Sequence, residues 1–359
     1  MTKTIIYSCV FFKEKYIHLI NLLLKSYKLF GNSPDNVDYL IICNPKFQNK
    51  IKAIFDNLNI SGKIWCIDIK NRFEACWYRL NIFSYFEIHL YEKILYLDTD
   101  IIMSNPLSKI LDIEMDEVIY SYDDGKKKIK DWGHGSIVFN KFNKLFDPEQ
   151  TVFSTGIMYF LNSKKIINLF NDIIESIKYL CPNNKYNLNG AYDQDFIIYH
   201  CVLNNMYDIT KINNYCQNNS NFYNDNLILN HFCVPCGNAY GKLEKMTNFM
   251  RNIMFNVKNE SKQQYIIKVG AHIGNTCNDK LFNNNSLINK KYLWQNSNIK
   301  FLENGKMNAF GPGKYKFIGK YLVKCDFGNR EHLLKFNDDY SRFISVRRDD
   351  FEVVVGDHL

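Results

Sequence analysis

Leu90-Tyr91-Glu92-Lys93-Ile94-Leu95-Tyr96-Leu97-Asp98-Thr99-Asp100-Ile101-Ile102-Met103 is where the chain first declares its architecture. A hydrophobic strand, Ile94 to Leu97, runs into two carboxylates at i and i+2, and a second apolar stretch comes after them. Side chains two apart on a straight strand share a face, so Asp98 and Asp100 would repel each other if buried. A hard divalent cation removes that cost, and its remaining coordination sites suit the phosphates of a nucleotide. The same residues also fit a capped turn, in which both carboxylates accept backbone N–H bonds before the helix-like Pro106-Leu107-Ser108. Taken alone, the stretch leaves both readings open.

Upstream, Thr4 to Phe12 is a β-prone run, and Tyr16 to Phe30 carries Ile17, Ile20, Leu24 and Tyr27 at helical spacing before Gly31-Asn32-Ser33-Pro34-Asp35 ends it. Val37 to Cys43 reads as a strand, Gln48 to Leu58 as a helix and Lys63 to Ile69 as a third strand. This alternation predicts a parallel α/β sheet. A helix over Phe73 to Leu90 then delivers the chain to the acidic turn. In such sheets ligands bind outside the carboxyl ends of strands, where Asp98 and Asp100 fall.

Downstream, Val118 to Tyr122 reads as a strand, and Asp123 to Gly135 as a polar loop long enough to cover a site. Val152 to Phe160 is a strand interrupted by Ser154-Thr155-Gly156, small residues that let a ligand approach the backbone. Ser163 to Tyr179 reads as a serine-capped helix, and Asn189 to Tyr199 holds Asp193-Gln194-Asp195 at the head of an apolar run. Leu227 to Cys233 is a strand containing His231, and Lys242 to Asn256 carries Leu243, Met246, Phe249, Met250 and Ile253 at helical spacing. From about Ser261 onward, short alternating segments punctuated by glycine predict a small all-β domain.

The 359 residues, 46% of them hydrophobic, suffice for one large or two ordinary domains. No apolar run reaches the roughly 20 residues of a membrane span, and the strand-like start leaves no room for a signal peptide, so a cytoplasmic protein is expected. Eleven scattered cysteines then read as reduced thiols. Cys233-Val234-Pro235-Cys236 lacks the second pair that would complete a zinc site. The formal charge of +8 suits an anionic ligand, but the basic residues are dispersed. Without a basic block interleaved with aromatics, no nucleic-acid polymer is expected as a partner. Lys126-Lys127-Lys128 lies beside Asp123 and Asp124 and reads as a solvated loop.

Five elements, taken in order, resemble one known pattern. They are Trp77-Tyr78-Arg79-Leu80, Ile94 to Asp100, Phe153-Ser154-Thr155-Gly156-Ile157-Met158, Asp193-Gln194-Asp195-Phe196, and His231-Phe232 with Gly237 and Lys242 beyond it. Over roughly residues 4 to 250 the chain resembles family 8 glycosyltransferases, the group containing glycogenin, bacterial lipopolysaccharide galactosyltransferases and galactinol synthases. The resemblance implies a GT-A fold, a Rossmann-like mixed sheet flanked by helices, over residues 1–258, beside a β-rich domain over 259–359. It implies retaining transfer of a hexose from UDP-glucose, UDP-galactose or UDP-GlcNAc, with Mn²⁺, to a glycan or protein acceptor. Homodimerisation is left open.

By position, the resemblance implies Asp98, Asp100 and His231 as metal ligands, a mixed set suited to Mn²⁺. A hydrogen-bonded core histidine is the competing reading of His231. Asp98 and Thr99 would also meet the donor. Lys242 would reach the diphosphate and stabilise the charge that builds on the leaving group, with Gly237 nearby; a solvated lysine is the plain alternative. Arg79 would face donor phosphate or sugar hydroxyls, or else pair with Glu74 or Glu87. Ser154, Thr155 and Gly156 would let the sugar lie against backbone. Asp193 would orient sugar hydroxyls, and the Gln194 carbonyl would stabilise positive charge at the anomeric carbon. Ser8, Cys9 and Tyr16 occupy the region that holds uracil, with Tyr16 a stacking partner or a core tyrosine. The chain departs from the family at Ser154, where Asn is common, and at Ile198, where Asn often comes after the acidic motif.

Two rival readings compete. Val269-Gly270-Ala271-His272-Ile273-Gly274-Asn275 faintly resembles the glycine loop of an S-adenosylmethionine-dependent methyltransferase, though the rest of the chain beyond it lacks the helices of a Rossmann sheet. A non-catalytic carbohydrate-binding protein is the other. In the tail, Trp294, Tyr315, His332, Tyr340, Arg347 and Arg348 would bind a glycan or partner, or form the core and surface of a small barrel.

Overall fold

The computed structural model describes residues 3–31, 36–218, 226–233, 239–255, 287–294, 297–309, 311–319, 322–327, 330–336, 340–347 and 353–358. They divide into two compact units, one holding Met1–Tyr27, Gly31–Lys52 and Ser61–Met246, the other Lys28–Phe30, Ala53–Ile60 and Thr247–Leu359. The expected boundary at 258/259, Cys236, Gly237, the glycine loop at 269–275 and Arg348 lie outside the described residues.

The first unit begins β1 (Thr4–Val10), α1 (Lys15–Ser26), β2 (Val37–Cys43), α2 (Gln48–Leu58), β3 (Gly62–Cys66) and α3 (Arg72–Trp77). Next come β4 (Lys93–Leu97), β5 (Ile101–Met103), α4 (Ser108–Leu111), β6 (Ile119–Tyr120), β7 (Asp123–Lys128), α5 (Ser136–Lys141), β8 (Thr151–Phe153) and β9 (Ile157–Leu161). It ends with α6 (Lys164–Leu180), α7 (Asp193–Leu203), β10 (Tyr207–Asp208), β11 (Cys216–Asn218), β12 (Leu229–His231) and the start of α8 (Ala239–Phe255).

The main sheet has seven strands in the order β10-β6-β9-β4-β1-β2-β3. Strands β4, β1, β2 and β3 run parallel, whereas β9 runs antiparallel between β4 and β6. Ile5, Ile6, Tyr7 and Ile94 to Leu97 are all buried, which is why both central strands read as continuous apolar runs rather than alternating ones. The expected mixed α/β architecture is therefore present. As expected, Ser163 caps α6 through a bond from the Ile166 N–H.

Two expectations need correction. The helix over Phe73 to Leu90 stops at Trp77 and continues as tighter turns over Tyr78–Ser84 and Ile88–Leu90. The Arg79 carbonyl accepts a hydrogen bond from the Tyr7 hydroxyl (3.0 Å), a tertiary contact within the segment where regular α-helix gives way. Asp123 to Gly135 is likewise not all loop. Its first half is β7, which pairs antiparallel with β8 across an irregular register.

A smaller sheet, β11-β12-β5, stands beside the main one, with β5 continuing directly from the acidic turn. No helix among the described residues is long and apolar enough to cross a membrane.

The second unit contains β13 (Lys291–Trp294), β14 (Ser297–Phe301), β15 (Lys306–Asn308), β16 (Pro312–Gly319), β17 (Leu322–Phe327), β18 (Arg330–Phe336), β19 (Arg342–Arg347) and β20 (Val353–His358). These form a closed antiparallel barrel, sealed by the pairing of β13 with β20. Tyr292, Phe301, Leu334, Phe336 and Phe343 fill its core. Tyr315 and His332 are buried there too, His332 Nδ1 lying 3.2 Å from Ser345 Oγ. Closure removes the open edges that short strands would otherwise expose.

Candidate active site

Between β4 and β5 the chain turns through Asp98-Thr99-Asp100, and the Asp98 N–H donates to the Gly156 carbonyl (2.8 Å). Strand β12 runs antiparallel to β5 with His231 opposite Ile101, and the Phe232 N–H donates to the Asp100 carbonyl (2.8 Å). That register carries the imidazole to the acids from far along the chain. His231 Nε2 lies 3.3 Å from Asp100 Oδ1 and 3.8 Å from Asp98 Oδ2. One ligand atom from each of the three lies within 4.8 Å of the others. Two carboxylates and an imidazole form the mixed oxygen and nitrogen set that divalent transition metals take.

Lys242, in the first turns of α8, donates to Asp100 Oδ2. Burial disfavours charge on Asp100, yet His231 and Lys242 hold its carboxyl well below the usual range. Burial also opposes charge on the imidazole and the ammonium, but Asp100 raises both. The cluster thus concentrates compensated charge around the buried Asp100 and His231.

Gly156 explains how the imidazole fits. A Cβ added there would lie 2.2 Å from His231 Cε1, so the ring occupies the space a side chain would need. Gly156→Ala is expected to displace the ring and weaken divalent-metal binding by about 10-fold or more, as read by Mn²⁺ titration with circular dichroism as the folding control.

A second cluster adjoins the first through Asp98. Arg79, only 5% exposed, donates from Nε to Asp193 Oδ2 (2.7 Å), from Nη1 to the Thr155 carbonyl (2.7 Å) and from Nη2 to Thr155 Oγ1 (2.9 Å). Its Nη1 is 3.6 Å from Asp98 Oδ1, and the guanidinium lies 4.9 Å from the centre of the Tyr96 ring. The Tyr96 hydroxyl in turn donates to Asp98 Oδ1. Thr155 Oγ1 donates to Gln194 Oε1 (3.1 Å), and Gln194 Nε2 donates to the Gly133 carbonyl (2.8 Å). These partners fix the amide orientation of Gln194 and connect it, through Thr155 and Arg79, to both acids.

Helix α7 is anchored at its start. Asp195 accepts from the backbone N–H of Gly135 (3.0 Å) and of Ala191 (2.5 Å), tying the two loops that flank Gln194. Tyr192, immediately before Asp193, adopts φ 58° and ψ −125°. A non-glycine residue in that region costs on the order of 1–3 kcal/mol and persists only where its surroundings enforce it.

Burial raises the Asp193 carboxyl to about 6, against the lowering influence of Arg79. A carboxyl raised by folding contributes stability that is full below its unfolded value and lost as pH climbs through the folded one. The stability of Asp193→Asn relative to the parent chain is therefore expected to improve by about 1 kcal/mol between about pH 5 and pH 8, as measured by urea unfolding.

Asp98, Asp100, His231, Lys242, Arg79, Thr155, Asp193 and Gln194 are thus brought together. Thr99 is buried in the acidic turn, and Ser154 is buried with its carbonyl accepting from the Ser121 hydroxyl (2.5 Å). Tyr16 is half-buried. Burial raises its phenol, which also feels the charges of Lys242 and Asp100. Cys9 is half-buried and its thiol is raised by desolvation, with Arg79, Asp98 and Asp193 in electrostatic range. Ser8 is fully buried, its hydroxyl 3.1 Å from that of Tyr39. Arg79 pairs with neither Glu74 nor Glu87, and Glu87 is taken by Lys63 (2.5 Å). Sequence reasoning missed Tyr96, Tyr122 and the Gly133 carbonyl. Tyr96 lies inside the acidic motif and Gly133 inside the loop read as long enough to cover a site, but nothing in the sequence marks Tyr122.

The profile of Glycosyl transferase family 8 matches residues 12–239. No curated protein matches the chain in sequence. Among solved structures, the WbbM bifunctional glycosyltransferase is 14% identical at a TM-score of 0.48, the match covering 74% of this chain and 51% of that one. This chain therefore spans about half the length of WbbM. The galactosyltransferase LgtC, solved with donor and acceptor sugar analogues, is 13% identical at a TM-score of 0.48, covering 73% of this chain and 99% of its own. Mouse xyloside xylosyltransferase 1 is 12% identical at a TM-score of 0.47, covering 66% and 100% respectively.

Proposed function

The chain belongs to glycosyltransferase family 8, and on that basis we propose that it is a metal-dependent, retaining hexosyltransferase that uses a UDP-sugar and a glycan or protein acceptor. The observation that carries this reading is the convergence of Asp98, Asp100 and His231 beside the Arg79–Asp193–Gln194 network, with Asp98 common to both. Residues 1–258 form the proposed transferase domain, and 259–359 an accessory β domain.

Asp98, Asp100 and His231 would hold Mn²⁺. When bound, the ion acts as a Lewis acid toward the departing diphosphate. Lys242, already placed at Asp100, supplies a second positive charge to that leaving group. Gln194 Oε1 accepts one bond from Thr155 and keeps a second lone pair for the positive charge that develops at the anomeric carbon. Asp193, held by Arg79, orients sugar hydroxyls. In the same-face route, the bond from the anomeric carbon to UDP breaks, the acceptor oxygen bonds to that carbon from the same side, and its proton passes to the departing phosphate oxygen.

The test is a thermal-shift and hydrolysis screen of UDP-glucose, UDP-galactose, UDP-GlcNAc and their GDP counterparts, with and without Mn²⁺. Metal-dependent stabilisation and turnover with one UDP-sugar is the expected result. Metal-independent sugar binding without turnover would favour a non-catalytic carbohydrate-binding protein. An α-linked donor is further expected to yield an α-linked product, and a β-linked product by NMR would remove Gln194 from its role.

A further inference from the structure

We propose that Tyr122 and Asn218 are positioning residues that hold His231 with its proton on Nδ1 and its lone pair on Nε2, and thereby set the affinity of the acid–imidazole cluster for a divalent cation. The proposal rests on reading that cluster as a metal site.

The buried Tyr122 side chain places its hydroxyl 2.7 Å from His231 Nδ1 and 2.5 Å from Asn218 Oδ1, to which it donates. A phenol carries one proton, and the amide oxygen of Asn218 can only accept. The Cys233 thiol also donates to that oxygen (3.1 Å). The tyrosine proton is thus committed to Asn218, and its oxygen is left to accept from Nδ1–H. A neutral imidazole has a single N–H, so a proton on Nδ1 leaves the lone pair on Nε2. Nε2 is the atom that faces Asp98 and Asp100.

The fold fixes this chain of bonds. Strand β11 runs parallel to β12 with Asn218 and His231 as register partners, while Gly156 leaves room for the ring. Reversing the direction, with Tyr122 donating to Nδ1, would put the proton on Nε2 and remove the ligand. Partners of this kind orient metal-bound histidines generally, and their loss typically weakens metal affinity about 10- to 100-fold.

The experiment is an Mn²⁺ titration tracked by electron paramagnetic resonance on the full chain, comparing Tyr122→Phe, Asn218→Leu and the double variant. Tyr122→Phe is expected to weaken binding about 10- to 100-fold, Asn218→Leu to weaken it less, and the double variant to be no worse than Tyr122→Phe. Nitrogen-15 NMR of the metal-free protein, at a pH where His231 is neutral, is expected to show Nδ1–H in the parent chain and a gain of Nε2–H in Asn218→Leu. If Tyr122→Phe does not fold, Asn218→Leu and the NMR carry the test. An Nε2–H tautomer in the parent chain overturns the proposal. Asp100→Asn separates the two levels. Mn²⁺ affinity retained in Asp100→Asn overturns the site and the proposal together, whereas affinity lost there but unchanged in Tyr122→Phe and Asn218→Leu overturns the proposal alone.

Discussion

Asp100→Asn is expected to reduce metal-dependent turnover by roughly 1,000-fold, because several kcal/mol of leaving-group stabilisation are lost with the ion at about 1.4 kcal/mol per decade. Asparagine is the informative replacement. It keeps the volume and one acceptor oxygen, whereas alanine would also leave Lys242 and His231 facing an empty space. Asp100 is the meeting point of those two side chains, so its charge serves both the proposed metal and the local balance. Turnover of the UDP-sugar identified by the screen, measured over an Mn²⁺ series, provides the check. Activity of Asp100→Asn within a few-fold of the parent chain, or activity that survives a chelator, would sink the metal-dependent mechanism.

Arg79→Met is expected to have the largest effect on stability, about 3–5 kcal/mol, because it removes the cation from two acids, one of them deeply buried. Asp193 loses the guanidinium that pairs with it, and Thr155 loses two donors at once. On a chain of this size the melting temperature should fall by on the order of 10 °C. Arg79→Lys should recover part of the charge balance but not turnover. A compact ammonium cannot serve Asp193, the Thr155 carbonyl and the Thr155 hydroxyl together in the geometry of a planar fork. Arg79→Met melting with the parent chain would show that the network contributes nothing to the fold.

Several features were legible because they depend on local pattern. Continuous apolar runs marked the central strands, helical spacing marked α1 and α8, and a serine marked the cap of α6. The interruption at Ser154-Thr155-Gly156 was visible as small residues inside a strand, and the chain does leave the sheet there. Its full use was not visible. Thr155 relays hydrogen bonds between Arg79 and Gln194, and Gly156 seats the imidazole of His231. The helix expected through Leu90 failed for a related reason. Periodicity reports which face is apolar, but it does not report that a tyrosine hydroxyl from β1 engages one of the segment's carbonyls.

Apolar patterning along the chain was enough for the α/β class and the β-rich tail, and the resemblance carried by the ordered motifs pointed to the family and to the acids and imidazole that meet. Apolar pattern and motif order lie along the chain, and folding does not alter them. Folding in three dimensions was needed to pair Arg79 with Asp193 rather than with a glutamate of its own segment, and to stand Tyr122 behind His231. It was needed, too, for the tail to close into a barrel. Each of these is a choice of partner across strands or loops distant in sequence. Such a choice is made by sheet register and by the cost of leaving a buried polar group unpaired, neither of which is written at any single position.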